Sequence, residues 1–224
     1  MKIYVQLQVI VLFALSVLNA QTLISTTDTF EGENAGGGLY DDANTAATTT
    51  GGSSWVTDDG SQLPSFVDRG GGNIAIQIDK TGGTRENAIR IPSLTQGYFS
   101  FDFNIIQDGL QGSTTKDSFT LRLASDSALT TNHSSGFIDR SAQNIALGEW
   151  HNVKLFFNSG TEVFNYDTTG LTDSSGTGGL GTLDPSKLAL FLDNDLISNS
   201  KNDDGATGPL NYAGFVIYLS LIHI

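Results

Sequence analysis

Three segments of this chain alternate apolar and polar residues along their whole length. They span residues 99–105 (FSFDFNI), 119–123 (FTLRL) and 188–193 (LALFLD). A repeat of two residues places successive side chains on opposite faces of an extended backbone, which is the pattern of a half-buried β-strand. The sequence therefore predicts strands that cover a core with one face and meet solvent with the other.

Glycine makes up 26 of the 224 residues and is concentrated in short clusters between apolar runs. This spacing is typical of strands joined by turns. We predict eight strands, near 73–79, 87–91, 98–106, 118–125, 150–157, 162–167, 187–193 and 212–219. A single helical turn is predicted at Asp184-Pro185, where an N-cap residue precedes a proline. The predicted fold is all-β, an antiparallel two-sheet β-sandwich.

The two ends of the chain are predicted to lie outside this domain. Residues 1–20 combine a basic start, a mostly apolar run and Ala20 at a cleavage position, which indicates a signal peptide. Residues 21–219 are predicted to form a single domain, in which 31–65 is mostly surface loop around one short strand. Residues 220–224 resemble translated sequencing adapter, so we expect a non-native tail on a chain that naturally continues with further domains.

Charge and cysteine content restrict the class of protein. The chain has 11 Lys+Arg against 24 Asp+Glu, and its formal net charge is −13. Such a chain repels nucleic acid and anionic membranes, because phosphate binding requires clustered basic residues. There is no cysteine, so the core alone must stabilise the domain. These features favour a secreted bacterial protein, extracellular or on the cell surface, that neither binds nucleic acid nor inserts into membranes.

The polar residues of the alternating strands are predicted to form one surface. Its members are the residues that alternate with the apolar ones along their strands: Ser100, Asp102, Asn104, Thr120, Arg122, Asn152 and Lys154. Strands lie about 4.8 Å apart, so these side chains could converge into a groove. Carboxylate, amide and guanidinium groups suit sugar hydroxyls, and Arg with Lys suits the carboxylate of an acidic sugar. The alternative is an ordinary solvated sheet face.

Aromatic side chains are candidates for stacking on sugar rings. They are Trp55, Tyr98, Tyr166 and Tyr212. Trp150 is instead predicted to pack in the core or at its rim, since it precedes an apolar strand. The predicted ligand-binding residues are Asp102, Asn104, Arg122, Lys154 and Tyr166. Thr168–Thr182 is interpreted as either a flexible insertion or a loop bordering the ligand.

Two oxygen-rich segments are candidates for calcium binding. They are Asp193-Asn194-Asp195 and residues 202–205 (NDDG). Ca²⁺ prefers carboxylate and carbonyl oxygens, and we predict Asp193 and Asp195 as its ligands. The alternative is that these residues form turns, because Asp and Asn side chains hydrogen-bond to nearby backbone.

Three stretches carry a resemblance to a known superfamily. They are 97–103 (GYFSFDF), 148–155 (GEWHNVKL, with the pattern G-x-W-H-x-V) and 212–217 (YAGFVI). They resemble the concanavalin A-like lectin/glucanase superfamily, especially the laminin-G-like jelly rolls of exported bacterial proteins. The resemblance implies two antiparallel sheets, one of them concave, with saccharide or Ca²⁺ sites on the concave face or its rim.

No catalytic motif is present in the sequence. A retaining glucanase of this superfamily would carry Glu-x-Asp-x-x-Glu on one strand, whereas the only closely spaced glutamates are Glu31 and Glu33, in a loop-like segment. Residues 84–90 (TRENAIR) are similar to the R-S/T-E-L-R strand of jelly-roll polysaccharide lyases, but their spacing is one residue longer. His151 lies on the same face of its predicted strand as Val153 and Leu155, which predicts a buried structural imidazole.

The predicted function is a secreted, non-catalytic carbohydrate-binding or adhesion-type domain whose partner is a polysaccharide or glycan. The alternative is a polysaccharide lyase or glycoside hydrolase that acts on the same concave face.

Overall fold

The computed structural model describes ten ranges of the chain: 55–57, 65–68, 74–78, 85–105, 118–126, 128–139, 142–176, 178–198, 206–217 and 222–223. Secondary structure in these ranges consists of strands and turns. The strands are β1 (Trp55–Thr57), β2 (Ser65–Asp68), β3 (Ile74–Ile78), β4 (Arg85–Leu94), β5 (Gln96–Ile105), β6 (Ser118–Ala124), β7 (Ser134–Asp139), β8 (Trp150–Asn158), β9 (Phe164–Asn165), β10 (Thr182–Leu183), β11 (Lys187–Leu192), β12 (Asp195–Ser198), β13 (Leu210–Ile217) and β14 (Ile222–His223). Within these ranges, no helix has the length and hydropathy needed to cross a membrane.

The strands form two large antiparallel sheets and one small one. The five-stranded sheet, here called the smaller sheet, has the order β1-β4-β13-β6-β7. The seven-stranded sheet, here called the larger sheet, has the order β12-β11-β8-β5-β14-β3-β2. Strands β9 and β10 pair only with each other in the described part of the chain. The prediction of an all-β, antiparallel two-sheet sandwich is confirmed.

The core lies between the two large sheets. Leu121 and Leu123 of β6 face Phe103, Val153 and Leu155 of the larger sheet, and all five side chains are fully buried. These residues are the apolar members of the alternating strands, so the two-residue repeat identified the core face correctly. Burying such side chains contributes about 1.5–3 kcal/mol each, which makes this cluster the main stabilising element.

Gly136 allows β7 to approach the opposite sheet closely. It pairs with Leu121, so it lies on the core face of β7. A Cβ atom at this position would lie 3.2 Å from side-chain atoms of both Leu155 and Leu190. The missing side chain thus lets two leucines of the larger sheet fill the space against the β7 backbone.

Strands β11 and β12 are joined by a two-residue turn at Asp193-Asn194. Both residues have positive φ, 49° and 69°. Two consecutive residues in the left-handed region characterise the type I′ hairpin turn, which Asp and Asn adopt more readily than most residues. The alternative interpretation of this segment as a turn is confirmed.

The predicted helical turn at Asp184-Pro185 is wrong. Residues 185–186 form a turn, Ser186 has a φ of 60°, and β11 begins at the next residue. Three residues between strands are too few to repay the cost of nucleating a helix.

A second apolar cluster lies on the outer face of the larger sheet. Residues 159–183, here called the cap, contain β9 and β10 and contribute buried side chains that cover that face. The cluster consists of Phe164, Tyr166 and Leu183 of the cap with Phe156, Ala189, Phe191 and Leu196 of the sheet. The larger sheet is therefore covered on both faces near β8 and β11.

Other predictions about chain organisation fall mostly on residues that are not described. Residues 1–20, most of 31–65 and residues 202–205 lie outside the described ranges. In the predicted tail, β14 pairs with β3 and β5 in the larger sheet. The domain boundaries and the non-native origin of 220–224 remain predictions.

Candidate functional site

The outer face of the larger sheet carries a row of polar side chains, here called the polar strip. It consists of Ser100, Asp102 and Asn104 on β5 with Asn152 and Lys154 on β8. Because β5 and β8 are antiparallel neighbours, Ser100 lies opposite Lys154 and Asp102 lies opposite Asn152. The structure thus brings together three of the five predicted ligand-binding residues: Asp102, Asn104 and Lys154.

Arg122 and Thr120 are not part of this strip. They lie on β6, which belongs to the smaller sheet, whereas Asp102 belongs to the larger one. The predicted convergence of Arg122 with Asp102 into one groove is wrong. The reason is that parity assigns a side chain to the core face or the outer face of its strand but does not say which sheet holds the strand.

Hydrogen bonds hold the polar strip in place from within and from the neighbouring turn. The Asn152 Nδ2 group donates to Asp102 Oδ1 at 2.8 Å, across the β5–β8 pair. The Lys154 ammonium donates to Asn194 Oδ1 at 2.9 Å, so the β11–β12 turn fixes the lysine. The strip is therefore preorganised, which lowers the entropic cost of binding a ligand.

Two acceptors in the strip remain without donors. The side-chain oxygens of Asn104 and Asn152 are buried and accept no hydrogen bond from any described residue. These two residues are diagonal neighbours on the same face, two rungs apart. Neither oxygen has accessible surface and Asn104 is only 5% exposed, so a ligand on the strip does not reach these two acceptors in this arrangement.

Exposed aromatic residues lie at both ends of the strip. Tyr98 is 56% exposed and Trp150 is 36% exposed. Both side chains lie on the same outer face of the sheet as the strip. Trp150 pairs with Asn104, six residues along β5 from Tyr98, so about 20 Å of strand separates the two rungs. Trp150 is thus not buried in the core, whereas packing at the rim, the other alternative predicted for it, stays open. Its place on the same face as Asn152 and Lys154 follows from the alternation along β8.

Tyr166 lies in the cap, not on the open strip. Its ring stacks on Phe156 with a centroid distance of 4.2 Å, and the residue is buried. Burial raises the pKa of the phenol, an effect that the backbone amide of Gly181 partly opposes. Tyr166 therefore packs the cap onto the sheet, and the expectation that it offers an open face to a sugar ring is wrong.

His151 and Asp193 form a hydrogen-bonded pair at the end of the strip. The distance from His151 Nδ1 to Asp193 Oδ2 is 2.7 Å, and the Asn152 amide donates to the other oxygen of the same carboxylate. The His151 side chain is 13% exposed and its ring contacts Phe103. The imidazole is thus mostly enclosed, and its structural role stays a prediction.

The carboxylates predicted to bind calcium both accept hydrogen bonds from protein groups. Asp193 accepts from His151 and the Asn152 amide, whereas Asp195 accepts from the Thr172 hydroxyl and the Ser174 amide. Among the described residues, no group of three or more His, Cys, Asp or Glu side chains is placed to share a metal ion. Calcium binding stays a prediction.

The other two aromatic candidates belong to strands of the smaller sheet. Tyr212 is partly buried on the outer face of the smaller sheet, where it packs against a small cluster that includes Ala124 and Leu129. The backbone of Trp55 forms part of β1, but its side chain is outside the described set, as are Glu31 and Glu33.

Three exposed or partly exposed carboxylates have lowered pKa values. Hydrogen bonds from Thr169 lower the pKa of Asp167, and those from Ser174 and Thr172 lower that of Asp195. Burial raises the pKa of Asp126, but hydrogen bonds from Thr131 and Thr130 outweigh this effect and leave it lowered. Asp167 and Asp195 hold the cap, and Asp126 holds the loop after β6.

We expect these groups to make the protein less stable in acid. In each case the folded pKa lies below the unfolded value of about 3.9, so the unfolded chain binds more protons in this range. The stabilisation from each carboxylate is fully present above its pKa in the unfolded chain. It is lost as the pH falls through its pKa in the folded protein. The urea midpoint should therefore fall between pH 5 and pH 3, and Asp195→Asn should reduce this fall. A midpoint that rises over the same interval would contradict the assignment.

Comparisons with known proteins give no family. No family model and no curated protein matches the chain. Among solved structures, it is similar to a chain described as a sialidase, with 10% sequence identity and a TM-score of 0.42. The match covers 74% of this chain but only 13% of the sialidase chain. A likeness this weak carries no conclusion about ligand or activity.

Proposed function

We propose that this chain is a secreted, non-catalytic carbohydrate-binding domain of the concanavalin A-like, laminin-G-like type, and that it binds glycan on the polar strip. The observation that carries the proposal is the arrangement of two exposed aromatic rings, Tyr98 and Trp150, at the ends of one row of polar side chains. Aromatic faces suit the C–H faces of sugar rings, and the polar groups between them suit hydroxyls.

The chemistry of the strip supports binding of a neutral glycan. Its carboxylate and its ammonium group each have a hydrogen-bond partner in the protein, Asn152 for Asp102 and Asn194 for Lys154. The charges of these two groups cancel.

The same geometry favours binding over hydrolysis. Glycoside hydrolases use two carboxyl groups that flank the scissile bond. Of the described carboxylates at the strip, Asp102 accepts from Asn152 Nδ2, and Asp193, at its end, is already engaged by His151 and the Asn152 amide. The hydrogen bond between Asp102 and Asn152 fits a role in positioning a ligand.

The proposal is tested by titrating the purified domain with neutral β-glucan oligosaccharides and oligogalacturonates in a calorimeter. We expect the neutral glycans to bind. Tyr98→Ala and Trp150→Ala should each weaken binding by about tenfold or more, since both remove a ring that contacts the ligand. Leu180→Ala, which shortens an exposed apolar side chain of the cap, is the matched control and should bind normally.

Two results would contradict the proposal. One is that no glycan binds to the wild-type domain, and the other is that both aromatic variants bind as the wild type does. Reducing ends and the absorbance of unsaturated products, followed in the same mixtures, should stay constant. An increase in either signal would identify an enzyme.

A further inference from the structure

Strand β7 is the last strand on one side of the smaller sheet. It pairs with β6 along one edge, and in the part of the chain that the structure describes no strand pairs with its other edge. An unpaired edge presents backbone N–H and C=O groups in the spacing that another strand requires. The outer edge of β7 is therefore a candidate for contact with a second polypeptide.

Hydrogen bonds around β7 show which of its backbone groups face outward. The Asp139 amide donates to Gln143 Oε1 at 2.6 Å, and the Asp139 carbonyl accepts from the Gln143 amide at 3.0 Å, so this residue points away from β6. The direction alternates along an antiparallel strand, so the backbone groups of Phe137 and Ser135 also point outward. Outside the β6–β7 pair, no backbone hydrogen bond joins these two residues to another described residue.

The side chains of this segment permit two acidic molecules to approach each other. Residues 134–138 (SSGFI) contain no charged residue and no proline, although the formal net charge of the chain is −13. Edge strands that stay unpaired usually carry a charge or a proline that blocks association. Phe137 lies on the outer face, next to the core-facing Gly136, and is 51% exposed.

The edge is complementary to a second copy of itself. If two β7 strands run antiparallel with their Gly136 residues opposite each other, Ser135 of each copy lies opposite Phe137 of the other. Residues paired in this way exchange both of their N–H···O=C bonds, so the outward groups of Ser135 and Phe137 all find partners. The two Phe137 side chains become diagonal neighbours about 7–8 Å apart, a distance that aromatic rings can span.

We propose that β7 joins two copies of this chain across a two-fold axis at Gly136, so that the two smaller sheets form one continuous sheet. The axis is perpendicular to the sheet and leaves like faces on the same side. The outer faces of both larger sheets, with their polar strips, therefore point the same way. Two strips could then engage one glycan surface together, which increases avidity. This last consequence alone rests on the proposed function.

Sedimentation of the full chain from micromolar to millimolar concentration tests the dimer. We expect a reversible equilibrium between monomer and dimer for the wild type. Phe137→Lys should raise the dissociation constant by about tenfold or more, because it removes the paired rings and brings two like charges together. Tyr98→Lys is the matched control. It replaces an exposed ring of the larger sheet with the same charge and should dimerise as the wild type does.

Amide exchange followed by NMR tests the pairing of the strands and stays decisive if Phe137→Lys disturbs β7 itself. The amides of Ser135 and Phe137 should exchange more slowly as the concentration of wild type rises, because they gain hydrogen bonds in the dimer. The Gly136 amide, which points towards β6, should be protected at every concentration. The inference is wrong if the wild type stays monomeric throughout the range, if Phe137→Lys dimerises as tightly, or if exchange at the two outward amides is independent of concentration. None of these outcomes depends on glycan binding.

Discussion

Replacing Phe103 by alanine should lower the free energy of unfolding by about 3–5 kcal/mol, because it empties the centre of the core. The side chain is fully buried between the sheets, and its ring contacts Phe101 and His151. Neighbours drawn from both sheets can collapse only partly into the space. Urea unfolding followed by fluorescence and circular dichroism measures this loss, and the two signals should coincide.

Phe137→Ala provides the control for this prediction. It removes a ring of the same size from an exposed position and should change the free energy of unfolding by no more than about 0.5 kcal/mol. A loss below about 1 kcal/mol for Phe103→Ala would mean that the sheets do not pack as described.

Phe191→Ala should also lower the free energy of unfolding by about 3–5 kcal/mol. Its effect on local stability should be concentrated in the cap. Phe191 is fully buried on the outer side of the larger sheet and makes edge contacts with the rings of Phe156 and Tyr166. Without it, the cap loses the centre of its contact with β11. Hydrogen exchange should show amides of the cap, residues 159–183, opening more readily than those of the strands that enclose the central core.

The adjacent residue supplies a matched control for this local effect. Leu190 lies on the same strand with its side chain in the central core. Leu190→Ala should lower global stability without selectively opening the cap. Equal exchange of the cap in Phe191→Ala and Leu190→Ala would show that contacts other than Phe191 hold the cap in place.

The sequence could predict the strands because their signal is local. Alternation of apolar residues depends on neighbours two positions apart, and it identified β5, β6, β8 and β11 together with the side chains that face the core. It missed β7. That strand presents Gly136 to the core, and a residue without a side chain adds nothing to an apolar pattern.

The site could be predicted only in part, because the sheet that a strand joins depends on residues far away in the sequence. Asp102 and Arg122 have the same parity, yet β5 and β6 enter different sheets, so the two side chains are on separate faces of the sandwich. Tyr166 was misassigned for a related reason. Its surroundings in sequence are polar, but Phe164-x-Tyr166 alternates, and the structure uses both rings to cover the sheet.

One contact of the cap engages the border strand of the larger sheet. Thr172 forms a parallel bridge to Asp195, accepting from the Leu196 amide and donating its own amide to the Asn194 carbonyl. Strand β12 is the last strand on that side of the larger sheet, and unpaired groups on such a border recruit strands from other molecules. Thr172 occupies two of these groups within the same chain, which leaves fewer of them free to pair with a strand of another molecule on this side.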